Sequence, residues 1–241
     1  MINSFLQSII DSFTDVVQNP VSIIIFAILS LLIVSLVLAM VFPFWRDLLV
    51  RVRFLEEDER PSSLLLWIVF VIIIVKLVQA FIIQPFIVDG GSMLPTFHNQ
   101  EFLLVDKFSY LVGKPSRGDV MIFKLQEGDN KFLGKYLIKR VIGLPGERVV
   151  VKSGLTTIYN KDNPQGFKLD EPFVSYKETN KDVDVTLDEH HYFMMGDNRA
   201  QSYDSRDWGA LHESAIRGKA VLRLLPLSLL SLNPGRHEYT K

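Results

Sequence analysis

A serine and a lysine stand out in this sequence, because each lies in a local setting that suits chemistry. Ser92 sits in Gly90-Gly91-Ser92-Met93-Leu94-Pro95-Thr96, shortly after a long apolar stretch. The glycines permit unusual backbone angles and the close approach of another chain, and Pro95 stiffens the exit from the turn. Lys139 sits in the run Tyr136 to Glu147, strand-like, with a single lysine in its apolar alternation and a Gly/Pro turn at its end. It alternates with Leu137 and Val141 and so shares their face of a strand. Burial on that face disfavours the ammonium and moves its pKa from about 10.4 toward the range near 7 to 8 that suits a general base. Each residue alone has an ordinary reading: a serine capping a turn in a linker, and a strand-edge lysine with its head in water. Brought together, they would form a hydrolase in which an amine, not an imidazole, activates a hydroxyl.

A third segment, Met194 to Gly209, follows an apolar strand end with small polar, acidic and basic residues, among them Asp197, Ser202, Asp204 and Arg206. That composition suits a loop building a hydrogen-bonded platform beside a site, or equally a solvated surface loop. The five histidines include the adjacent pair His190 and His191. Neighbouring residues on a strand point to opposite sides, which argues against joint metal ligation or a histidine triad. Arg117-Gly118-Asp119 precedes a strand and reads as a turn rather than as an adhesion tripeptide. No metal or organic cofactor is expected.

Such chemistry needs elements to position it and a compartment. The chain has 241 residues, 48% of them hydrophobic, and the distribution of the apolar residues favours anchors joined to a smaller domain. Residues 21–42 form a run of about 22 residues without a charge, near the ~20 required to cross a bilayer as a helix. Residues 64–84 form a second run, interrupted by Lys76, Gln79 and Gln84. Lys76 lies near enough to the end of this run to reach the interface with its head. The connector, 43–63, carries Arg46, Arg51, Arg53 and Arg60, whereas residues 1–20 contain no Lys or Arg. The positive-inside rule therefore puts the connector in the cytoplasm, and residues 1–20 and 85–241 outside. Cysteine is absent, which excludes disulfides, zinc-thiolate sites and a thiol nucleophile. A formal net charge of −1 gives no reason to expect nucleic acid as a partner.

Residues 85–241 read as mainly β. Runs rich in branched and aromatic residues recur between turn signals at 101–108, 120–124, 135–142, 148–151, 156–159, 190–195 and 219–225, a spacing that favours an antiparallel β-sandwich or barrel. Residues 160–188 are polar, with a turn at Asn163-Pro164-Gln165-Gly166, and read as an insertion between strands.

Four boxes in order make the sequence resemble the type I signal peptidases, membrane-bound serine proteases with a Ser/Lys dyad. They are Ser-Met-x-Pro-Thr at Ser92 to Thr96, Arg-Gly-Asp-Val at Arg117 to Val120, Lys-Arg-x-x-Gly-x-Pro-Gly at Lys139 to Gly146, and Gly-Asp-Asn-Arg-x-x-Ser-x-Asp-Ser-Arg at Gly196 to Arg206. The resemblance implies that Ser92 is the nucleophile, Lys139 the base and Ser202 the hydroxyl that orients the amine. It also implies that Arg140, Asp197, Asp204 and Arg206 hold the loops of the site and that the Ser92 N–H steadies an oxyanion. One branch of the family has a serine two positions before the nucleophile as a further donor; here that position is Gly90. Phe86, Val88, Met93 and Ile138 flank the dyad and are the candidates for pockets that select small residues before the cut. The implied partners are secretory precursors with their signal peptides, the lipid bilayer and translocation machinery, at the bacterial inner membrane. Two rival readings are a soluble self-cleaving repressor-like Ser/Lys protease, which the spans oppose, and a catalytically silent membrane-anchored module.

Overall fold

Prolines set the boundaries of the N-terminal helices. The computed structural model describes residues 20–55, 60–109, 113–126, 131–176 and 178–239. Helix α1 (Pro20–Val41) stops where Pro43 forces its predecessor out of the helical region, and Phe42 is extended at φ −116°, ψ 111°. The same proline opens α2 (Pro43–Arg51), and Pro61 opens α3 (Pro61–Phe81), each in the first helical turn, where a missing N–H costs nothing. Leu36, Ala39, Leu49 and Leu55 form a small core between these helices, with Leu64, Leu65 and Ile68 packed against it.

Helix α3 leaves Leu66, Trp67, Phe70, Ile73 and Ile74 exposed, so it is apolar well beyond one packed face. Its segment Pro61–Val78, of mean hydropathy 2.5, is the one helix among the described residues long and apolar enough to cross a membrane. The first expected span falls on α1, of which Ser30–Val41 registers as a shorter apolar helix. Two transmembrane helices are thus an expectation from the sequence, with one such helix meeting the criterion here. The second apolar run also ends earlier than its hydropathy suggests. Helix α3 closes at Phe81, and Ile83–Ile87 is strand β1, because Pro85 excludes Gln84 from the helix and is tolerated only on a sheet edge.

Two compact units divide at this point, Met1–Ile82 and Ile83–Lys241. The second unit is built from antiparallel sheets, as the sequence leads one to expect. Strands β2 (Phe102–Asp106), β3 (Val120–Lys124), β4 (Tyr136–Gly143), β9 (His191–Met195), β10 (Leu211–His212) and β11 (Ile216–Leu225) join β1 in an eight-stranded sheet of order β1-β2-β11-β3-β4-β9-β10, with β12 (Ser231–Leu232) paired to β11. Strands β5 (Arg148–Lys152), β6 (Leu155–Tyr159), β7 (Phe167–Lys168) and β8 (Val183–Thr186) form a four-stranded sheet of order β7-β6-β5-β8. Residues 160–188, read from the sequence as an insertion, supply β7 and β8 and so half the strands of that sheet.

Strand β4 is the hub, touching three apolar clusters. Tyr136 and Ile138 join the cluster of Val88, Met93, Phe97, Leu103 and Val105. Leu137 and Val141 join that of Met121, Phe123, Tyr192 and Met194, and Ile142 joins that of Val149, Ile158 and Phe193. Val141 and Ile142, fully buried, each contribute about 1.5–3 kcal/mol, and the partly buried Tyr136, Leu137 and Ile138 less. The register is therefore fixed, since a slip of one residue would turn every apolar side chain to the wrong face.

Candidate active site

The register of β4 against its neighbours determines what Lys139 meets. Lys139 is paired with Met121 of β3, and Arg140 with Val120 of β3 and Met195 of β9. Lys139 is 3% exposed, enclosed on a strand whose C-terminal half is buried throughout. Its Nζ lies 2.8 Å from Oγ of Ser92 and donates to the Ile138 carbonyl at 2.9 Å. The two residues singled out by the sequence, 47 positions apart, thus share one hydrogen bond.

Burial is the main cause of the low pKa of this amine, which falls from 10.5 to about 8; the carboxylates of Asp204 and Asp197 pull it upward, and Arg206 adds to the lowering. Neither carboxylate makes a hydrogen bond or ion pair with Lys139 itself. Their attraction is therefore too weak to offset the lost hydration. At pH 7 about one amine in ten is then neutral, against about one in 3,000 at the ordinary value.

The backbone around Ser92 is held by the segment after β9. Asn198 donates through its N–H to the Ser92 carbonyl at 3.0 Å and through Nδ2 to the Gly91 carbonyl at 3.0 Å. Thr96, at the end of the turn, donates its hydroxyl to Asp197. Asp197 is fully buried and takes a two-pronged bond from Arg140, with Nε to Oδ1 at 2.8 Å and Nη2 to Oδ2 at 2.6 Å. The Arg140 guanidinium also donates to the carbonyls of Gly118 and Gly235, and lies 3.8 Å from the ring centre of Phe173.

A second buried pair braces the same loop. Arg206 donates to both oxygens of Asp204 at 2.8 Å and to the Arg199 carbonyl at 2.8 Å. Burial pushes the Asp204 carboxyl up, but Arg206, the Ser202 hydroxyl and the Gly196 N–H outweigh this and hold it below the usual carboxylate range. Asp204 also caps the short helix α4 (Ser205–Trp208) through a reciprocal arrangement with Asp207.

Ser202 is 4% exposed, and its Oγ influences Asp204, yet it meets full hydrogen-bond geometry with no partner and makes no bond to the Lys139 amine. Gly196 lies between the two serines; a side chain there would collide with Ser202 Oγ and with the Ser92 carbonyl oxygen. Phe86, Val88, Met93 and Ile138 do fall in one cluster, with the Phe86 and Tyr136 rings 5.3 Å apart. Val88 and Met93 are only 4% and 1% exposed, so Phe86, Tyr136 and Ile138, each partly buried, carry the accessible apolar surface.

Several contributors were invisible to sequence reasoning. Arg199 forms a two-pronged pair with Glu171, and Tyr176 bridges to Asn198, so residues 160–188 buttress the loop that grips Ser92. The Arg117-Gly118-Asp119 turn is committed internally: Arg117 binds Glu147 at 2.8 and 2.6 Å, and Asp119 pairs with Lys219. His190 and His191 each pair with a carboxylate, of Glu213 and Asp188 respectively.

Residues 62–225 match the family described as signal peptidase, peptidase S26. The chain is similar to signal peptidase I S of Bacillus subtilis (strain 168), at 33% identity over 188 residues that cover 72% of this chain and 95% of that protein. It is likewise similar to signal peptidase IB of Staphylococcus aureus (strain MRSA252), at 31% identity over 193 residues, covering 71% and 95%. A solved signal peptidase I from Enterococcus faecalis V583 aligns at 28% identity over 46% of this chain and 99% of its own, with a TM-score of 0.37.

Proposed function

The chain belongs to the signal peptidase family, peptidase S26, and is a signal peptidase I type serine endopeptidase that removes signal peptides from exported precursors; we propose that Ser92 is its nucleophile and Lys139 its general base. The observation that carries this assignment is the 2.8 Å contact between the Ser92 hydroxyl and an amine buried without a carboxylate partner. In the neutral form Lys139 accepts the serine proton, and Oγ attacks the scissile carbonyl. The Ser92 N–H, which donates to no backbone carbonyl among the described residues, is free to steady the oxyanion while Asn198 fixes the peptide on either side. The protonated amine then delivers its proton to the leaving nitrogen, and water attacks the acyl-enzyme with Lys139 again as base. To Ser202 we assign orientation of the amine, supported by its buried hydroxyl, which lies across Gly196 from the Ser92 carbonyl. The chemistry calls for no metal or organic cofactor.

The substrate pairs as an extended strand with the edge of β1 that no strand among the described residues covers, β2 lying on its other side. Small side chains before the cut face the shallow apolar surface of Phe86, Tyr136 and Ile138, with Val88 and Met93 as its floor. Residues 21–42 and 64–81 cross the bacterial inner membrane, with the arginine-rich connector in the cytoplasm, and translocation machinery delivers the substrate outside. Single cysteines at Asn160 and Asp47 test this topology: an impermeant thiol reagent applied to intact cells labels the first and not the second, and the reverse pattern refutes it.

The activity is tested by incubating the purified protein in detergent with a precursor whose signal ends in Ala-x-Ala and weighing the products. A single cut after the last alanine is expected. An uncut precursor, or cutting at unrelated positions, refutes the assignment.

A further inference from the structure

The C-terminal segment returns to the active site. After β12 the chain turns at Asn233, whose N–H donates to the Val221 carbonyl at 2.7 Å, and it brings Gly235 between the nucleophile turn and Arg140. The Gly235 carbonyl accepts from Nη1 of Arg140. Its α-carbon abuts the turn so closely that a Cβ there would stand 2.5 Å from Cγ2 of Thr96, 3.1 Å from Cε2 of Phe97 and 3.4 Å from Cγ2 of Val120. Two residues later the His237 N–H donates to the Gly118 carbonyl, and the His237 ring meets Phe173 edge-on at 5.3 Å. Both Gly118 and Phe173 also touch Arg140.

These contacts close a ring. The Thr96 hydroxyl binds Asp197, Asp197 binds Arg140, Arg140 binds the Gly235 carbonyl, and Gly235 packs back on the Thr96 methyl group. Three links are polar and hold Thr96 toward Asp197, whereas the fourth is an approach behind it that leaves no room for a side chain on Gly235. Thr96 lies four residues after Ser92 in the same tight turn, tied by the bond from the Phe97 N–H to the Met93 carbonyl at 3.0 Å. A shift of Thr96 therefore moves the nucleophile. The 2.8 Å separation of Ser92 and Lys139 leaves little room, because a displacement of about 1 Å takes the pair beyond hydrogen-bond reach.

We propose that Gly235 is a positioning residue for the cleavage reaction, fixing the seat of Thr96 and through it the approach of Ser92 to Lys139. It touches neither substrate nor the reacting atoms. The proposal rests on the Ser/Lys reaction given above and predicts a defect in kcat, with substrate binding along β1 intact.

The test is a cycle of Gly235→Ala and Thr96→Ser assayed on the same precursor. Thr96→Ser removes the methyl group that a new Cβ would strike and keeps the hydroxyl that binds Asp197. Gly235→Ala in the unaltered background should lower kcat at least tenfold with KM within twofold. In the Thr96→Ser background the same change should lower kcat less than threefold, relative to Thr96→Ser alone. Gly235 has φ +73°, so alanine is strained in both backgrounds, and that strain cancels in the comparison. Equal losses in the two backgrounds, or no loss in either, would overturn the proposal. If Gly235→Ala alone does not fold, recovery of folding and cleavage in the double variant supports it, and a double variant that stays unfolded overturns it. Failure of the unaltered protein to cut the precursor would instead refute the reaction on which the proposal rests.

Discussion

Lys139 and Arg140 are neighbours on one strand and both are buried, yet their surroundings are opposites. Arg140 has a carboxylate in two-pronged contact, two carbonyl acceptors and an aromatic face, so its charge is answered on every side. Lys139 has a hydroxyl and one carbonyl, with the carboxylates of the site acting only from a distance. The difference shows how one strand can both hold a site and run it. A fully paired cation fixes geometry at a constant charge, while an underpaired one gives up its proton within reach of neutral pH.

The largest effects are expected on the underpaired side. Ser92→Ala and Lys139→Ala should each reduce cleavage by on the order of 10³-fold or more while the protein stays folded, and the double variant should be no worse than either, because the pair acts as a unit. Multiplying losses in the double variant, read from kcat/KM on one precursor, would break the comparison. On the paired side the expected loss is in stability. Arg140→Met leaves Asp197 buried without its cation, with only the Thr96 hydroxyl as a partner, and should cost about 3–5 kcal/mol in urea unfolding. Replacing both partners by apolar residues of similar volume should recover much of that stability but not cleavage, since Thr96 would lose its acceptor. A destabilisation below about 1 kcal/mol for Arg140→Met would mean that the pair is not the brace described.

The smallest effect concerns Gly90, the position at which one branch of the family has a serine as a further oxyanion donor. The residue has φ +100° and open space around its α-carbon, so the obstacle to a side chain is the backbone angle and not crowding. Its N–H is also held by Asn99 Oδ1 at 2.9 Å. Gly90→Ser should therefore lose about 1 kcal/mol in thermal unfolding, without a gain in kcat. A stable variant with raised kcat would restore the added-donor idea.

What the sequence disclosed follows from where the information is local. Seven β-runs were legible because alternation and turn residues act over a few positions, whereas Ser92 and Lys139, which share a hydrogen bond, each have an ordinary local reading and were paired through four boxes in order. Strand β1 was hidden, since Ile82 and Ile83 prolong the apolar run and hydropathy does not register the break at Pro85. Strands β7 and β8 are only two and four residues long and form because β6 and β5 present edges to them. The grip of Asn198 on Ser92, the buttress from Glu171 and the seat made by Gly235 join positions some 30 to 140 residues apart. No periodicity records them. That the Ser202 hydroxyl makes no bond to the Lys139 amine was likewise beyond reach, because its partnerships depend on side-chain geometry alone.

The central claim, that burial without a carboxylate partner makes Lys139 the base, is tested most directly by the pH dependence of kcat/KM. Because burial lowers the folded-state pKa, the neutral amine accumulates as pH rises through that value, so activity should climb along a limb centred near 8. The same shift means that stability should rise by about 3 kcal/mol between about pH 8 and 10.5, where the unfolded chain still binds the proton and the folded one has released it. A rising limb near 8 that disappears in Lys139→Ala is the predicted result. A limb at or above about 10, the range of a solvated lysine, would contradict the account.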